Sequence, residues 1–214
     1  MNNQHILKEA KLYLFDLDGT ILDSMPVWEQ LGRNYLLQEQ ITPPNNLETV
    51  IETMTLEESA AYFQKLGLHK KTDEIIHGVM SYIQDAYRLS IPAKPGMVSL
   101  IRNLSDNPDK NLCLLTTSEE TCARQALERL GILSCFSRIY TSSQLGLGKT
   151  TGEIYQKVCK LQHTLPADTI VLEDALYAVR SAKEAGCYVY GVPDEASQKD
   201  WDEIVELADQ ILSF

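Results

Sequence analysis

Leu12 to Asp23 reads Leu-Tyr-Leu-Phe-Asp-Leu-Asp-Gly-Thr-Ile-Leu-Asp, and no other stretch constrains the fold as tightly. Four apolar residues rich in strand formers, Leu12 to Phe15, stop at Asp16; a second acid, Asp18, follows two positions on, with Gly19 and Thr20 behind it. The pattern is that of a buried strand delivering two carboxylates to its own carboxyl end, where open α/β sheets bind ligands. Gly19 permits the turn that would aim both acids into one pocket. Two neighbouring carboxylates repel unless a cation or a shared proton offsets them, so the pair asks for Mg²⁺ or for acid/base work. Taken alone, the same residues also read as a solvated turn after a strand, since Asp and Gly are common there.

The rest of the chain narrows the choice. After Asp23 the pattern is helical for some seventy residues. Pro26 suits a first turn, and Val27, Leu31 and Tyr35, with Trp28 alongside, form an apolar stripe. Pro43-Pro44-Asn45-Asn46 breaks the pattern. Thr55-Leu56-Glu57-Glu58 then reads as a capping box opening a helix to Leu66 that stops at Gly67. A third helix over Thr72 to Arg88 places Ile75, Ile76, Val79, Ile83 and Tyr87 on one side. Three helices without a strand, inserted after the first strand, predict a separate helical cap over residues 23–92, leaving 1–22 and 93–214 as the core.

Beyond the insert, strands and helices alternate. Pro95-Gly96 opens a helix through Leu104; strand Asn111 to Leu115 ends at Thr116-Thr117-Ser118; helix Glu119 to Leu130 closes at Gly131, with Thr117 or Ser118 expected as its N-cap. A strand near Arg138 to Tyr140 precedes the loop Leu145-Gly146-Leu147-Gly148-Lys149 and a helix from Glu153 to Leu161. The rhythm repeats with strand Thr169 to Leu172, the acids Glu173-Asp174, helix Leu176 to Ala185 and strand Tyr188 to Val192. A helix around Lys199 to Leu207 and a short strand Gln210 to Leu212 complete it. Such alternation predicts an α/β fold, a doubly wound, mostly parallel Rossmann-like sheet covered on both faces.

Composition excludes several classes. Nineteen basic against thirty acidic residues give a net charge of −11, which repels nucleic acid phosphates. No apolar run approaches the roughly 18 residues needed to span a bilayer, and Met1 to Lys11 is polar and charged, so neither membrane insertion nor a secretion signal is expected. Cys113, Cys122, Cys135, Cys159 and Cys187 are odd in number and widely spaced, which predicts reduced core thiols in a cytoplasmic protein.

The polar residues at the strand ends carry the functional reading. Asp16 and Asp18 end the first buried strand, Thr116 the second, Glu173 and Asp174 the third, and Lys149 precedes a helix. One polar residue at a strand end is usually a turn or a cap. In a doubly wound sheet these ends face one crevice, which would gather four carboxylates, a hydroxyl and an ammonium. Carboxylate oxygens suit Mg²⁺; the ammonium, the hydroxyl and nearby backbone amides suit a phosphoryl group.

With these residues in place the sequence resembles the haloacid dehalogenase superfamily. Asp16-Leu17-Asp18-Gly19-Thr20 is similar to its first motif, Thr116 to the second, Lys149 to the third and Glu173-Asp174 to the fourth, and the helical insert resembles the mobile C1 cap of subfamily I, as in β-phosphoglucomutases and phosphoglycolate phosphatases. The chain departs from the pattern with Thr150-Thr151-Gly152-Glu153 where relatives follow the lysine with Pro-x-Pro-Asp, and with Ala175 and Ala178 after the fourth motif. The resemblance implies a Mg²⁺-dependent phosphohydrolase acting on a small phosphorylated metabolite. Asp16 would be the nucleophile and Asp18 the acid/base. Asp16, the Asp18 backbone carbonyl, Asp174 and, through water, Glu173 would hold the metal; Thr116, Thr117 and Lys149 would hold the phosphate. Asp18 speaks against a dehalogenase, which has no acid there. A β-phosphoglucomutase, which carries a histidine twelve positions past the nucleophile where this chain has Trp28, stands as one alternative, and a catalytically silent binding module as another. Trp28, Arg33 and Tyr35 are candidates for cap specificity.

Overall fold

The computed structural model describes residues 7–52 and 54–214. They divide into two compact units, one holding the residues up to Ser24 together with Pro92–Phe214, the other Met25–Ile91.

The first unit is built on six parallel strands: β1 Leu12–Phe15, β2 Asn111–Thr116, β3 Arg138–Thr141, β4 Thr169–Glu173, β5 Tyr188–Gly191 and β6 Gln210–Ile211. Their order is β3-β2-β1-β4-β5-β6, so the winding direction reverses between β1 and β4. That is the crevice where doubly wound sheets place ligands. Leu14 pairs with Cys113 on one side and Val171 on the other, and all four β1 residues are buried. A central strand covered on both faces needs no alternation of polar and apolar residues, which is why Leu-Tyr-Leu-Phe is uniformly apolar. Side chains still alternate in direction. Leu12, Leu14, Cys113, Leu115, Val171 and Val189 join one core cluster with Ile154, Val158, Val179 and Ile204 from the covering helices. Phe15 points the other way and meets Phe136 edge to face at 5.8 Å. Cys113, Cys122, Cys159 and Cys187 are buried free thiols and Cys135 is half-buried.

Several elements differ from the sequence expectation. The helix after β2 is Glu120–Arg129, and Glu119 takes the N-cap position without a side-chain hydrogen bond; neither Thr117 nor Ser118 caps it. A short helix, Ser142–Leu145, precedes the glycine-bearing loop, and a 3₁₀ segment, Glu195–Asp200, leads into helix Trp201–Leu207.

The second unit has five helices among its described residues instead of three: Met25–Glu29, Leu31–Gln38, Leu47–Ile51, Leu56–Lys65 and Thr72–Leu89. The first expected helix is broken at Gln30, whose φ of −97° and ψ of 8° leave the helical region. Leu47–Ile51 forms just after the proline break and buries Leu47. The Thr55 capping box forms as expected: its hydroxyl accepts from Glu58 N at 3.2 Å, and Glu58 Oε2 accepts from Thr55 N at 2.8 Å. Tyr35, Leu36, Leu47, Ala60, Phe63, Ile75 and Val79 make a separate small core. No helix among the described residues is long and apolar enough to cross a membrane.

Arg33 ties this unit together. Its guanidinium donates to both Glu48 oxygens, Nη2 to Oε2 at 2.9 Å, and to the carbonyl of Pro44 at 3.0 Å. The hydrogen bonds from Arg33 hold the Glu48 carboxyl down, from an ordinary 4.5 to about 2. A carboxyl depressed in the folded state stabilises the fold above its unfolded pKa, and that contribution is lost as the pH falls through the folded one. The stability gap between wild type and Glu48→Gln, read by urea unfolding, should therefore be full at neutral pH and close as the pH falls from 4.5 to about 2. A gap independent of pH would show that the ion pair contributes nothing.

Candidate active site

β1 brings Asp16 to the carboxyl end of the central strand. Its backbone N–H still donates to Leu172 O at 3.0 Å, so the residue is held by the ladder while its side chain leaves it. Asp16 is 8% exposed, and its Oδ1 accepts from Lys149 Nζ. The same ammonium donates to Glu173 Oε1 at 2.8 Å. Glu173 Oε2 in turn accepts from the backbone N–H groups of Asp174 at 2.9 Å and Ala175 at 3.2 Å. Lys149, 3% exposed, thus joins the end of β1 to the end of β4 from the loop before helix Glu153–Leu161.

Asp174 completes the cluster. Its Oδ1 accepts from Thr20 Oγ1 at 3.0 Å. Gly19, at φ +83°, lets the backbone pass close by: a Cβ there would lie 2.3 Å from Asp174 Oδ2. The turn is closed by Gly19 N to Leu22 O at 2.9 Å and Leu22 N to Leu17 O at 2.8 Å. Ligand atoms of Asp16, Glu173 and Asp174 lie within 4.8 Å of one another, and all three residues are buried.

Two of these three buried carboxylates share one ammonium, Lys149, and the third, Asp174, lies beside them. Burial pushes the Asp16 carboxyl up, to about 8, against the pull of Lys149, with Glu173 and Asp18 adding to the rise. Asp174 is also raised well above the carboxylate range, by burial first and then by Glu173 and Asp16. Burial disfavours the charged form of Lys149, but Asp16 and Glu173 outweigh it and hold the ammonium well above its ordinary value. Hard oxygen donors, close together, dry and short of positive charge, fit a hard divalent cation.

Asp18 stands apart from this cluster. Half-buried, it accepts from Ser24 Oγ at 2.7 Å on Oδ1 and from Ser118 Oγ at 2.6 Å on Oδ2. Thr116 is fully buried, and its Oγ1 accepts from Ser118 N at 3.0 Å, while Thr117 is exposed. Ser24, Ser118 and Thr20 are the site hydroxyls that sequence reasoning missed. Ser118 lay inside a stretch read as an N-cap, Thr20 directly followed the acidic motif, and Ser24 carried no signal of its own.

The cap candidates are occupied within their own unit. Trp28 Nε1 donates to the Tyr87 hydroxyl at 3.1 Å. Arg33 is held by Glu48 and the Pro44 carbonyl, and Tyr35 is buried against Phe63. Trp28 and Arg33 also line a cavity of about 770 Å³ in this unit, with Ile51, Met54, Phe63 and Ile76.

This sheet order, with acids at the ends of β1 and β4 and a buried lysine between them, defines a doubly wound α/β crevice with the groups to hold an anion beside a cation. The profile of the haloacid dehalogenase-like hydrolases matches residues 13–192, and the chain belongs to that family. A bifunctional riboflavin kinase/FMN phosphatase of Arabidopsis thaliana is 28% identical over 193 residues, 89% of this chain and 50% of that protein; the chain spans about half that relative's length. Hexitol phosphatase A of Escherichia coli (strain K12) is 25% identical over 197 residues, 91% of this chain and 88% of the relative. A Thermotoga maritima crystal structure carrying a provisional β-phosphoglucomutase assignment matches at a TM-score of 0.81 and 21% identity, covering 95% of this chain and 94% of the other, which is a likeness of fold.

The close passage of Gly19 over Asp174 makes a direct prediction. Gly19→Ala combines an unfavourable left-handed conformation, roughly 1–2 kcal/mol, with overlap onto the Asp174 carboxylate. Thermal melting with and without MgCl₂ should show a lower Tm and a loss of any Mg²⁺-dependent rise. Wild-type melting and an unchanged Mg²⁺ response would remove Gly19 from the site's construction.

Proposed function

We propose that the protein is a Mg²⁺-dependent phosphatase that hydrolyses a small phosphorylated metabolite, a sugar phosphate or similar ester, through an aspartyl-phosphate. The observation that carries this reading is the division of the acids. Asp16, Glu173 and Asp174 lie together, the first two bound to Lys149, while Asp18 accepts from the neutral hydroxyls of Ser24 and Ser118. One carboxylate is thereby set up to attack and another to manage protons. The named activities of the curated relatives, an FMN phosphatase and a hexitol phosphatase, support the same substrate class.

In this mechanism an Asp16 carboxylate oxygen attacks phosphorus in line. The Asp16 O–P bond forms as the ester P–O bond breaks, and Asp18 gives its proton to the departing alcohol oxygen. Asp18 then takes a proton from water as that water's oxygen bonds to phosphorus and the Asp16 O–P bond breaks, which releases phosphate and restores the carboxylate. Lys149 and the Thr116 hydroxyl, with the amides that follow it, bind the equatorial oxygens and keep the phosphoryl group oriented. Asp16, Asp174 and the Asp18 backbone carbonyl would hold Mg²⁺, with Glu173 behind them because both of its oxygens are already engaged. When bound, Mg²⁺ supplies charge neutralisation for the phosphoryl oxygens. Trp28, which stands where the mutase relatives carry a histidine, has its indole N–H committed to Tyr87, and this favours hydrolysis over mutase chemistry.

The test is phosphate release from a panel of alkyl, sugar and flavin phosphates, with Mg²⁺ and with chelator. Wild type should release phosphate only with the metal. Asp16→Asn should be inactive, and Lys149→Ala should lose about 10²-fold or more in kcat, as expected for removal of a preorganised charge-stabilising donor. Conversion of glucose 1-phosphate to glucose 6-phosphate without phosphate release would replace the phosphatase with a mutase. Full activity in Asp16→Asn would defeat the mechanism.

A further inference from the structure

Ser118 follows the second strand end and lies 100 positions along the chain from Asp18, yet its hydroxyl donates to Asp18 Oδ2 at 2.6 Å. The hydroxyl can reach because the backbone beneath it is pinned: Ser118 N donates to Thr116 Oγ1 at 3.0 Å, a tight local turn at the end of β2. Helix Glu120–Arg129 begins after it without using Ser118 as a cap. A serine placed before a helix would ordinarily satisfy that helix's exposed N–H groups. Here the side chain is diverted from that role to a carboxylate beyond the end of the neighbouring strand β1, and the helix start goes without a side-chain cap.

We infer that Ser118 is a positioning residue for the second acid, fixing the direction in which Asp18 presents its proton to the leaving group. The inference rests on the phosphatase reading above. A hydroxyl is suited to this task because it donates to a carboxylate and, by rotating, accepts from a carboxylic acid. Ser118 thus keeps its hold on Asp18 through both halves of the cycle, when Asp18 carries the proton and when it has given the proton to the alcohol oxygen. The turn at Thr116 joins this function to phosphate binding: the residue assigned to the phosphoryl oxygens also sets the Ser118 backbone, so substrate phosphate and acid share one frame.

The role makes a prediction that simple structural support does not share. Alkyl esters leave as poor leaving groups and need protonation; p-nitrophenolate leaves without it. kcat/KM reads the steps up to loss of the alcohol, so it isolates this proton transfer from hydrolysis of the intermediate. In Ser118→Ala, kcat/KM for the best alkyl ester of the panel should fall about 10-fold to 100-fold, the scale of a misplaced catalytic group. The value for p-nitrophenyl phosphate should stay within about twofold, because the acid contributes little there. Ser118→Thr, which keeps the hydroxyl, should recover most of the alkyl-ester rate, and melting temperatures of both variants should match wild type. Equal losses on the two esters, or no loss on either, overturn the assignment. A wild type inert on both esters overturns instead the phosphatase reading on which it rests.

Discussion

The site depends on one buried cation. Lys149 sits 3% exposed between Asp16 and Glu173, and through them it binds the ends of β1 and β4 to the loop before helix Glu153–Leu161. Burying three such charges is costly, and the cost is offset only when the remaining lone pairs are satisfied. Glu173 meets that condition through the N–H groups of Asp174 and Ala175, whereas Asp16 has its Oδ1 on Lys149 and its backbone held by the sheet. Removing one partner of such an arrangement costs about 3–5 kcal/mol, because it strands the others. The same residues that could bind phosphate and metal therefore also hold the crevice together, and their chemistry cannot be varied without the fold responding.

Close approach is the second constraint. Asp174 lies against the backbone at Gly19, where no Cβ fits, and Thr20 donates to its other oxygen. The strand-turn of the first motif and the end of β4 are thus in contact through a glycine and a threonine with no bulk to spare. Burial first, and like charge after it, pushes the Asp16 and Asp174 carboxyls up, and a divalent cation would offset both.

The fold was largely legible because its strands are apolar runs closed by polar residues and its helices carry period and caps. Leu12–Phe15, Thr169–Glu173 and the Thr55 capping box all announce themselves locally. The misses share a cause: they are settled by partners distant in sequence. Gln30 breaks a helix whose apolar stripe runs on unbroken through Leu31 and Tyr35. Leu47–Ile51 forms because Leu47 finds the small core of the second unit and Glu48 finds Arg33. Ser118 looks like a cap until Asp18 is seen beside it. Asp16, Asp18, Lys149, Glu173 and Asp174 were legible as a set because acids at strand ends need a reason; the hydroxyls that hold them were not, since Ser and Thr are ordinary turn residues.

The partners chosen for the two acids of the first motif differ in kind, and the difference matches the proposed division of labour. An ammonium has only hydrogens to offer, so Lys149 can hold Asp16 as a carboxylate and has no acceptor for it as an acid. That suits a nucleophile, which must keep its lone pair until it meets phosphorus. Asp18 is held by hydroxyls, Ser24 on one oxygen and Ser118 on the other, which reverse their sense when a proton arrives. A group that must gain and lose a proton in each turnover would lose its orientation every cycle if cations alone held it. Two aspartates two positions apart at the end of one strand are thus given different neighbours by the fold: a lysine for one, and two serines for the other.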